Sequence, residues 1–244
     1  MFFDLLFFYI DVKMKYIISD IHGEYDLFIK LLHKINFSSY DKMFICGDII
    51  DKGQDSVKLL KLIKSTPNFR CIIGNHEYAF LKNYWAIMQD SPDDFDYVLS
   101  KLQSYFPHDG KLLDWETVDW LEALPYYIEE DDFICVHAGV LLDEYNRLLP
   151  LEQTTREQFV YDRQFKEPDL IPITDKCIFY GHTPTSYIAN ESKILKYKRE
   201  NVLTNTISDY YKIHLDLGVW IHGKLGCFCV DNCKEFYVDK YNDL

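Results

Sequence analysis

Five short segments combine carboxylate, imidazole and amide side chains that suit divalent metal ions: Asp20-Ile-His22-Gly, Gly-Asp48-Ile-Ile-Asp51-Lys-Gly, Gly-Asn75-His76-Glu, His137-Ala-Gly and Gly-His182-Thr-Pro. Asp20 and His22 are two apart at the end of an apolar run. The period of 2 in a strand points both the same way, so a carboxylate and an imidazole can share one ion. Asp48 can bridge two ions, and the neutral side chains of Asn75, His137 and His182 complete the second. This mixed nitrogen and oxygen set suits Mn, Fe or Zn and is poor for Ca or Mg alone. Glycines directly beside an Asp, Asn or His in four of the five segments let the backbone turn tightly and approach a ligand. Any one segment alone is more often a loop with satisfied polar groups. Five in a workable order, in a chain with 8 histidines, argue for one binuclear centre. His33, His108, His214 and His222 have no such company and read as surface or hydrogen-bonded core residues. The run Glu129-Glu130-Asp131-Asp132 reads as a solvated turn.

The elements that must position these segments follow one grammar. Residues 15–19 (KYIIS) form a β-branched run, followed by Leu27, Phe28, Leu31, Leu32 and Ile35 at helical spacing. Residues 43–46 (MFIC) precede a polar loop and a helix carrying Val57, Leu59, Leu60, Leu62 and Ile63, and residues 70–73 (RCII) lead into another helix. Such βαβ units favour parallel strands with helices packed on the sheet. Open α/β sheets bind ligands outside the carboxyl ends of their strands, which is where all five segments fall. Residues 78–130 read as a helical insertion flanking the site, broken at Ser91-Pro92-Asp93 and at Pro107-His108-Asp109-Gly110, with Asp114 as a helix cap. Strand character returns at 133–136 (FICV) and 177–180 (CIFY). KIHLDLG, KLGCFCV and KEFYV near the end alternate in the β manner with a turn at Asp231-Asn232, which predicts a second, more antiparallel sheet. The expectation is an α/β fold, one domain over residues 14–244.

Bulk properties agree with a folded enzyme. Of 244 residues, 48% are hydrophobic and 16% aromatic, enough for a full core. A net charge of −13 argues against a general binder of phosphate backbones, so no nucleic-acid partner is expected. Bound cations would reverse the local field at a carboxylate-rich site. Seven cysteines are an odd number, and Cys46, Cys71, Cys135 and Cys177 each lie in an apolar run, as buried thiols of a reducing, cytoplasmic protein would. Cys227, Cys229 and Cys233 do not have standard zinc spacing. The opening MFFDLLFFYI lacks a basic leader and a cleavage site, and falls short of the roughly 20 residues that span a bilayer, so no membrane role is expected. Translation from Met14 would make residues 1–13 a start-site artefact. A monomer is expected.

On these motifs the sequence resembles the phosphoprotein phosphatase branch of the calcineurin-like metallophosphoesterases. The signatures GDxHG, GDxVDRG, GNHE, HxG and GHT stand here as SDIHG, GDIIDKG, GNHE, HAG and GHTP, over roughly residues 15–226. The chain is most similar to the compact bacterial and phage members, the lambda-type serine/threonine phosphatases and the diadenosine tetraphosphate hydrolases. The resemblance implies a two-sheet β-sandwich flanked by helices. It implies one ion on Asp20, His22 and Asp48 and the other on Asp48, Asn75, His137 and His182, with Mn the usual metal. Two ions about 3.5–4 Å apart can share a hydroxide and align it for in-line attack on phosphorus. His76 would then protonate the leaving group and Asp51 would orient His76. In FVYDRQF (159–165) the resemblance places a phosphate-clamping arginine at Arg163, beside Lys52 and Asn75. Two family arginines are replaced, by Lys52 and Ile73; a lysine offers a point charge where arginine offers a planar fork, which weakens the grip on a dianion. Ser19 replaces the first glycine, small for small. The leading expectation is hydrolysis of phosphoserine or phosphothreonine, with phosphotyrosine as a further substrate. The alternative is hydrolysis of a dinucleoside polyphosphate, and the rival from another class is a metal-bound binding module that has lost turnover.

Overall fold

The computed structural model describes residues 13–90, 95–106, 113–202 and 204–241. The chain begins with β1 (Lys15–Ile18), α1 (Tyr25–Lys34), β2 (Lys42–Ile45), α2 (Ser56–Ser65) and β3 (Phe69–Cys71), and these three strands are parallel. The helices form because their apolar residues share one stripe. Leu27, Phe28 and Leu31 are buried in α1, and Val57, Leu59, Leu60 and Ile63 in α2. Just beyond α1, Asn36 turns the backbone left-handed (φ +50°), a conformation asparagine tolerates.

Next come α3 (Asn75–Asp90), α4 (Phe95–Lys101) and α5 (Trp115–Glu122), followed by β4 (Tyr127–Glu129) and β5 (Phe133–Val136). The region expected to be helical to residue 130 therefore closes on a strand. Asp114 does cap α5, its carboxylate accepting from the Thr117 amide at 2.8 Å. Of the expected breaks, all of Ser91-Pro92-Asp93 and Pro107-His108-Asp109-Gly110 lies outside the described residues. The remainder is α6 (Arg156–Tyr161), β6 (Cys177–Tyr180), α7 (Ser186–Ala189), β7 (Leu195–Lys198), β8 (Tyr210–His214), α8 (Val219–His222), β9 (Lys224–Cys229) and β10 (Lys234–Asp239).

Two five-stranded mixed sheets result, in the orders β10-β9-β1-β2-β3 and β4-β5-β6-β8-β7. This corrects the expectation that the last 60 residues build a second, more antiparallel sheet. β8 pairs parallel with β6, β7 pairs antiparallel with β8, and the β9–β10 hairpin joins the first sheet alongside β1. Alternation reports that one face of a strand is buried; it does not report which open edge the strand will cover.

The sheets face each other across one apolar layer. Ile17, Phe44 and Phe228 of the first sheet cluster there with Phe133, Cys135, Phe179 and Ile213 of the second. Phe44 meets Phe133 edge-on at 5.1 Å and Phe179 lies 5.5 Å from Phe228. The alternate residues Ile18, Ile45, Ile134 and Ile178 belong to the outer cluster with Leu27, Phe28 and Leu60. Burial on both faces explains why these strands read as continuous apolar runs. Among the described residues no helix is long and apolar enough to cross a membrane, and all seven cysteines are free and buried.

Candidate metal centre

All five segments converge where the carboxyl ends of the two sheets meet. The loops after β1 and β2 bring Asp20, His22, Asp48 and Asp51, and the start of α3, beyond β3, brings Asn75 and His76; the second sheet brings His137 after β5 and His182 after β6. Asp20 and His22 lie beyond the end of β1 with left-handed backbone (φ +53° and +46°), so consecutive turns aim them and strand alternation does not. Asp48, Asp51, Lys52 and His182 are also left-handed (φ +53°, +71°, +66° and +73°). Each such conformation costs on the order of 1–3 kcal/mol, which surrounding contacts must offset. The first two loops supply those contacts by bonding to each other: the amides of Asp20, His22 and Gly23 donate to the carbonyls of Gly47, Asp48 and Ile49 at 3.2, 2.9 and 2.7 Å. Gly74 is required there, because a Cβ at that position would lie 2.2 Å from Asp48 Oδ1.

Backbone carbonyls set the histidine tautomers. His22 Nδ1 lies 3.0 Å from the Ile50 carbonyl and His137 Nδ1 lies 2.8 Å from that of Cys46, so each Nδ1 carries the proton and each Nε2 presents a lone pair. His22 Nε2 then faces Asp48 Oδ2 at 3.6 Å and Asp20 Oδ1 at 4.0 Å. His137 Nε2 faces Asp48 Oδ1 at 3.5 Å and Asn75 Oδ1 at 2.9 Å, and the same Asn75 oxygen lies 2.8 Å from His182 Nδ1. Among the described residues Asp20 Oδ1 is buried without a hydrogen-bond partner. Lone pairs converging on lone pairs in a buried pocket repel unless a cation lies between them, so the residues fit two divalent ions on either side of Asp48. Among the described residues, two groups have ligand atoms within 4.8 Å of one another: His22, Asp48 and His76, and Asp20, Asp48 and His137. Cys227, Cys229 and Cys233 enter neither.

Electrostatics agree. Burial pushes His22 down to about 4 and His182 down to about 3, and also lowers His137, which favours the neutral form that can bind a metal ion. Burial would raise Asp48, but His137, His76 and His22 more than offset it and hold the carboxyl below its usual range. Burial, then Asp216 and Asp48, raise Asp20, a repulsion that a cation would remove.

His76 differs from the other histidines. Its Nδ1 lies 2.7 Å from Asp51 Oδ2, and Asp51 Oδ1 accepts from the Lys52 amide at 2.7 Å. Burial lowers the pKa of His76, but Asp48 and Asp51 prevail and raise it; burial raises that of Asp51, but the bond from His76 prevails and lowers it. His76 alone among these histidines is thus shifted toward its protonated form, the direction a general acid needs.

A family model for the calcineurin-like phosphoesterases matches residues 16–223. The chain belongs to that family. A bis(5'-nucleosyl)-tetraphosphatase (symmetrical) of Aggregatibacter actinomycetemcomitans is 30% identical over 132 residues, covering 52% of this chain and 45% of the relative. Its counterpart in Haemophilus ducreyi is 32% identical over 129 residues, covering 51% and 44%. The aligned part thus spans less than half the length of these curated relatives. Among solved structures, a candidate diadenosine tetraphosphatase superposes with a TM-score of 0.68 at 18% identity, covering 95% of each chain. A protein serine/threonine phosphatase from Saccharomyces cerevisiae superposes with a TM-score of 0.56 at 13% identity, covering 95% of this chain and 81% of that one. At these identities the two superpositions show the shared fold.

Several residues of this calcineurin-like phosphoesterase escaped the sequence reading. Glu77, fully buried, accepts from the amides of Asp48, Ile49, Ile50 and Gly74 at 2.9, 2.8, 3.0 and 2.9 Å, and so ties the second and third loops together. Its place in GNHE was the available signal. Ser19 donates to Asp20 Oδ2, so it does more than save space. A sixth strand end contributes Asp216 after β8, buried and pushed up to about 7 by burial first, with Asp48 adding to it against the Gly218 amide. His214 is a core residue stacked on Tyr180 at 4.3 Å, but among the described residues its ring nitrogens have no hydrogen-bond partner, where a surface or hydrogen-bonded place was expected; His33 is exposed and His222 bonds to Ser186. His108 lies outside the described residues.

The expected phosphate-binding groups stand at the rim. Lys52 Nζ sits over the Trp220 ring at 4.2 Å, and Ile73 is buried. Arg163 is exposed, and its charge helps to depress His182. Its segment is anchored by Lys212, fully buried, whose Nζ donates to the carbonyls of Phe165 and Glu167 at 2.7 and 2.8 Å.

Proposed function

We propose that this chain is a metal-dependent hydrolase of dinucleoside polyphosphates of the diadenosine tetraphosphate kind. The observation that carries the chemistry is the convergence of carboxylate, imidazole and amide ligand atoms on both sides of Asp48, next to His76, whose Nδ1 lies 2.7 Å from Asp51. The named activity of the curated relatives favours a nucleotide substrate, which reverses the order of the two substrate classes expected from the motifs. Asp20, His22 and Asp48 would hold one ion, and Asp48, Asn75, His137 and His182 the other. Mn suits this donor set, as do Fe and Zn. Bound there, the ions supply charge neutralisation at phosphate and an activated water. Arg163, Lys52 and the Asn75 amide meet phosphate oxygens. His76 Nε2 donates its proton to the oxygen that leaves when the P–O bond breaks, and Asp51 holds the ring in place. Water supplies the hydroxyl that completes the phosphate left behind.

The test is a comparison of kcat/KM on diadenosine tetraphosphate and on a phosphoserine peptide, with the Mn-loaded chain and His76→Asn as control. A higher value on the nucleotide is expected. A higher value on the peptide restores the protein phosphatase reading. Turnover of neither, nor of p-nitrophenyl phosphate, leaves a binding module.

A further inference from the structure

A second cavity of about 470 Å³ opens beside the centre. Buried Ile73 and Leu81 form its floor, and the rings of Tyr78, Trp85 and Tyr126 line its sides. Tyr78 and Tyr126 meet at 72° with centroids 6.2 Å apart, and the Tyr78 hydroxyl donates to Glu157 at 2.8 Å, which holds that ring in place. Trp85 is 43% exposed, an indole left uncovered on the side of a concave surface. Two cations, Lys82 and Arg156, stand among the lining residues of a chain whose net charge is −13, and the Arg156 guanidinium lies over Tyr126 at 5.4 Å. Glu122 adds a carboxylate that can accept from an exocyclic amine.

The cavity and the centre are neighbours. The Tyr78 ring is 6.0 Å from the Tyr161 ring, which is 6.4 Å from that of His182. Arg156 and Tyr161 are the two ends of α6, separated by about 7.5 Å along the helix axis. A flexible anionic chain with one phosphate at the metals can pass Tyr161 and carry its far end into the cavity.

Planar rings, an apolar floor and cations together match a heteroaromatic base attached to phosphates: the rings stack on the π-face and the cations meet the oxygens. We propose that this cavity holds one nucleobase of the dinucleoside polyphosphate while a phosphate sits at the metal centre. The inference rests on the substrate class proposed above. It assigns Trp85 and Arg156 to substrate selection and gives them no part in bond breaking.

The experiment uses the Mn-loaded full chain with two substrates, diadenosine tetraphosphate and p-nitrophenyl phosphate, and the variants Trp85→Ala and Arg156→Ala. A lost stacking partner should raise KM for the dinucleotide roughly tenfold with kcat unchanged. Turnover of p-nitrophenyl phosphate, which has no nucleobase, should stay at the wild-type value and shows that the variants fold. Equilibrium binding of adenosine diphosphate, followed by tryptophan fluorescence, is the second arm. If the wild type cleaves the dinucleotide and both variants keep its KM, the cavity is not the base site. If the wild type does not cleave it, the substrate reading fails by itself and the binding arm decides the cavity: affinity about tenfold weaker in the variants supports a nucleotide site there, and equal affinity overturns it. A KM increase on an aromatic phosphopeptide alone would assign the cavity to a peptide and overturn the proposal.

Discussion

The metal centre and the rim around it are built by different rules. At the centre, Asp20, His22, Asp48 and His137 are all buried, each is held by a backbone group, and most sit in left-handed turns locked by neighbouring loops. At the rim, Lys52, Tyr161, Arg163 and Trp220 are exposed, and Lys52 leans on the Trp220 ring. The centre can vary little without losing its geometry; the rim can change with small cost to the fold. The contrast teaches that the geometry of the centre is over-determined, whereas that of the rim rests on a few exposed side chains.

The largest expected effect comes from Asp48→Asn, which removes the charge shared by both proposed ion sites. Turnover of every substrate should fall to the buffer baseline, with less than the wild-type metal content by elemental analysis. Full metal content with retained turnover would break the distinction between centre and rim. Next is His76→Asn, for which kcat should fall about 10²–10⁴-fold, as expected for a lost general acid, with metal content unchanged. Lower metal content would instead make His76 a ligand, in keeping with its 3.8 Å distance from Asp48 Oδ2.

Glu77→Ala touches no substrate and tests the scaffold. It leaves four buried amides without their acceptor, at about 1–3 kcal/mol for each group left unpaired. Urea denaturation should show a loss of several such units, and metal affinity should weaken with it. Lys52→Arg probes the rim: a planar fork should lower KM for p-nitrophenyl phosphate several-fold and leave metal content and melting temperature unchanged. The smallest effect on turnover is expected at Lys212. Burial lowers its ammonium to about 7, below its value of 10.5 in the unfolded chain. Between those values the unfolded chain binds the extra proton, so this residue's contribution to stability rises with pH. Lys212→Met should remove that slope. The stability gap between the two chains should shift by about 2 kcal/mol in favour of wild type between pH 7 and 9, read from urea melts at each pH.

Much of the fold could be read locally. The first two βαβ units, the cap at Asp114 and the two apolar strands at 133–136 and 177–180 follow from short-range periodicity and side-chain chemistry, and the structure has them. The partners of the last strands could not be read this way, because the choice between two open sheet edges depends on residues some 200 positions earlier: Tyr16 pairs with Cys229 and Phe228 with Ile17. Asp20 and His22 do lie side by side, but strand alternation ends before either residue and left-handed turns aim them instead.

The sequence by itself determined which ligand types this chain carries, their order and the placement of each at the end of an apolar strand, because donor chemistry resides in single side chains and strand ends are local events. Tertiary structure alone decided that Asp48 stands between His22 and His137, that Glu77 gathers four amides from two loops, that Lys52 rests on Trp220, and that an aromatic cavity lies next to the centre. Each of these joins residues distant in the chain, and only the packing of one sheet on the other brings them within a few ångströms.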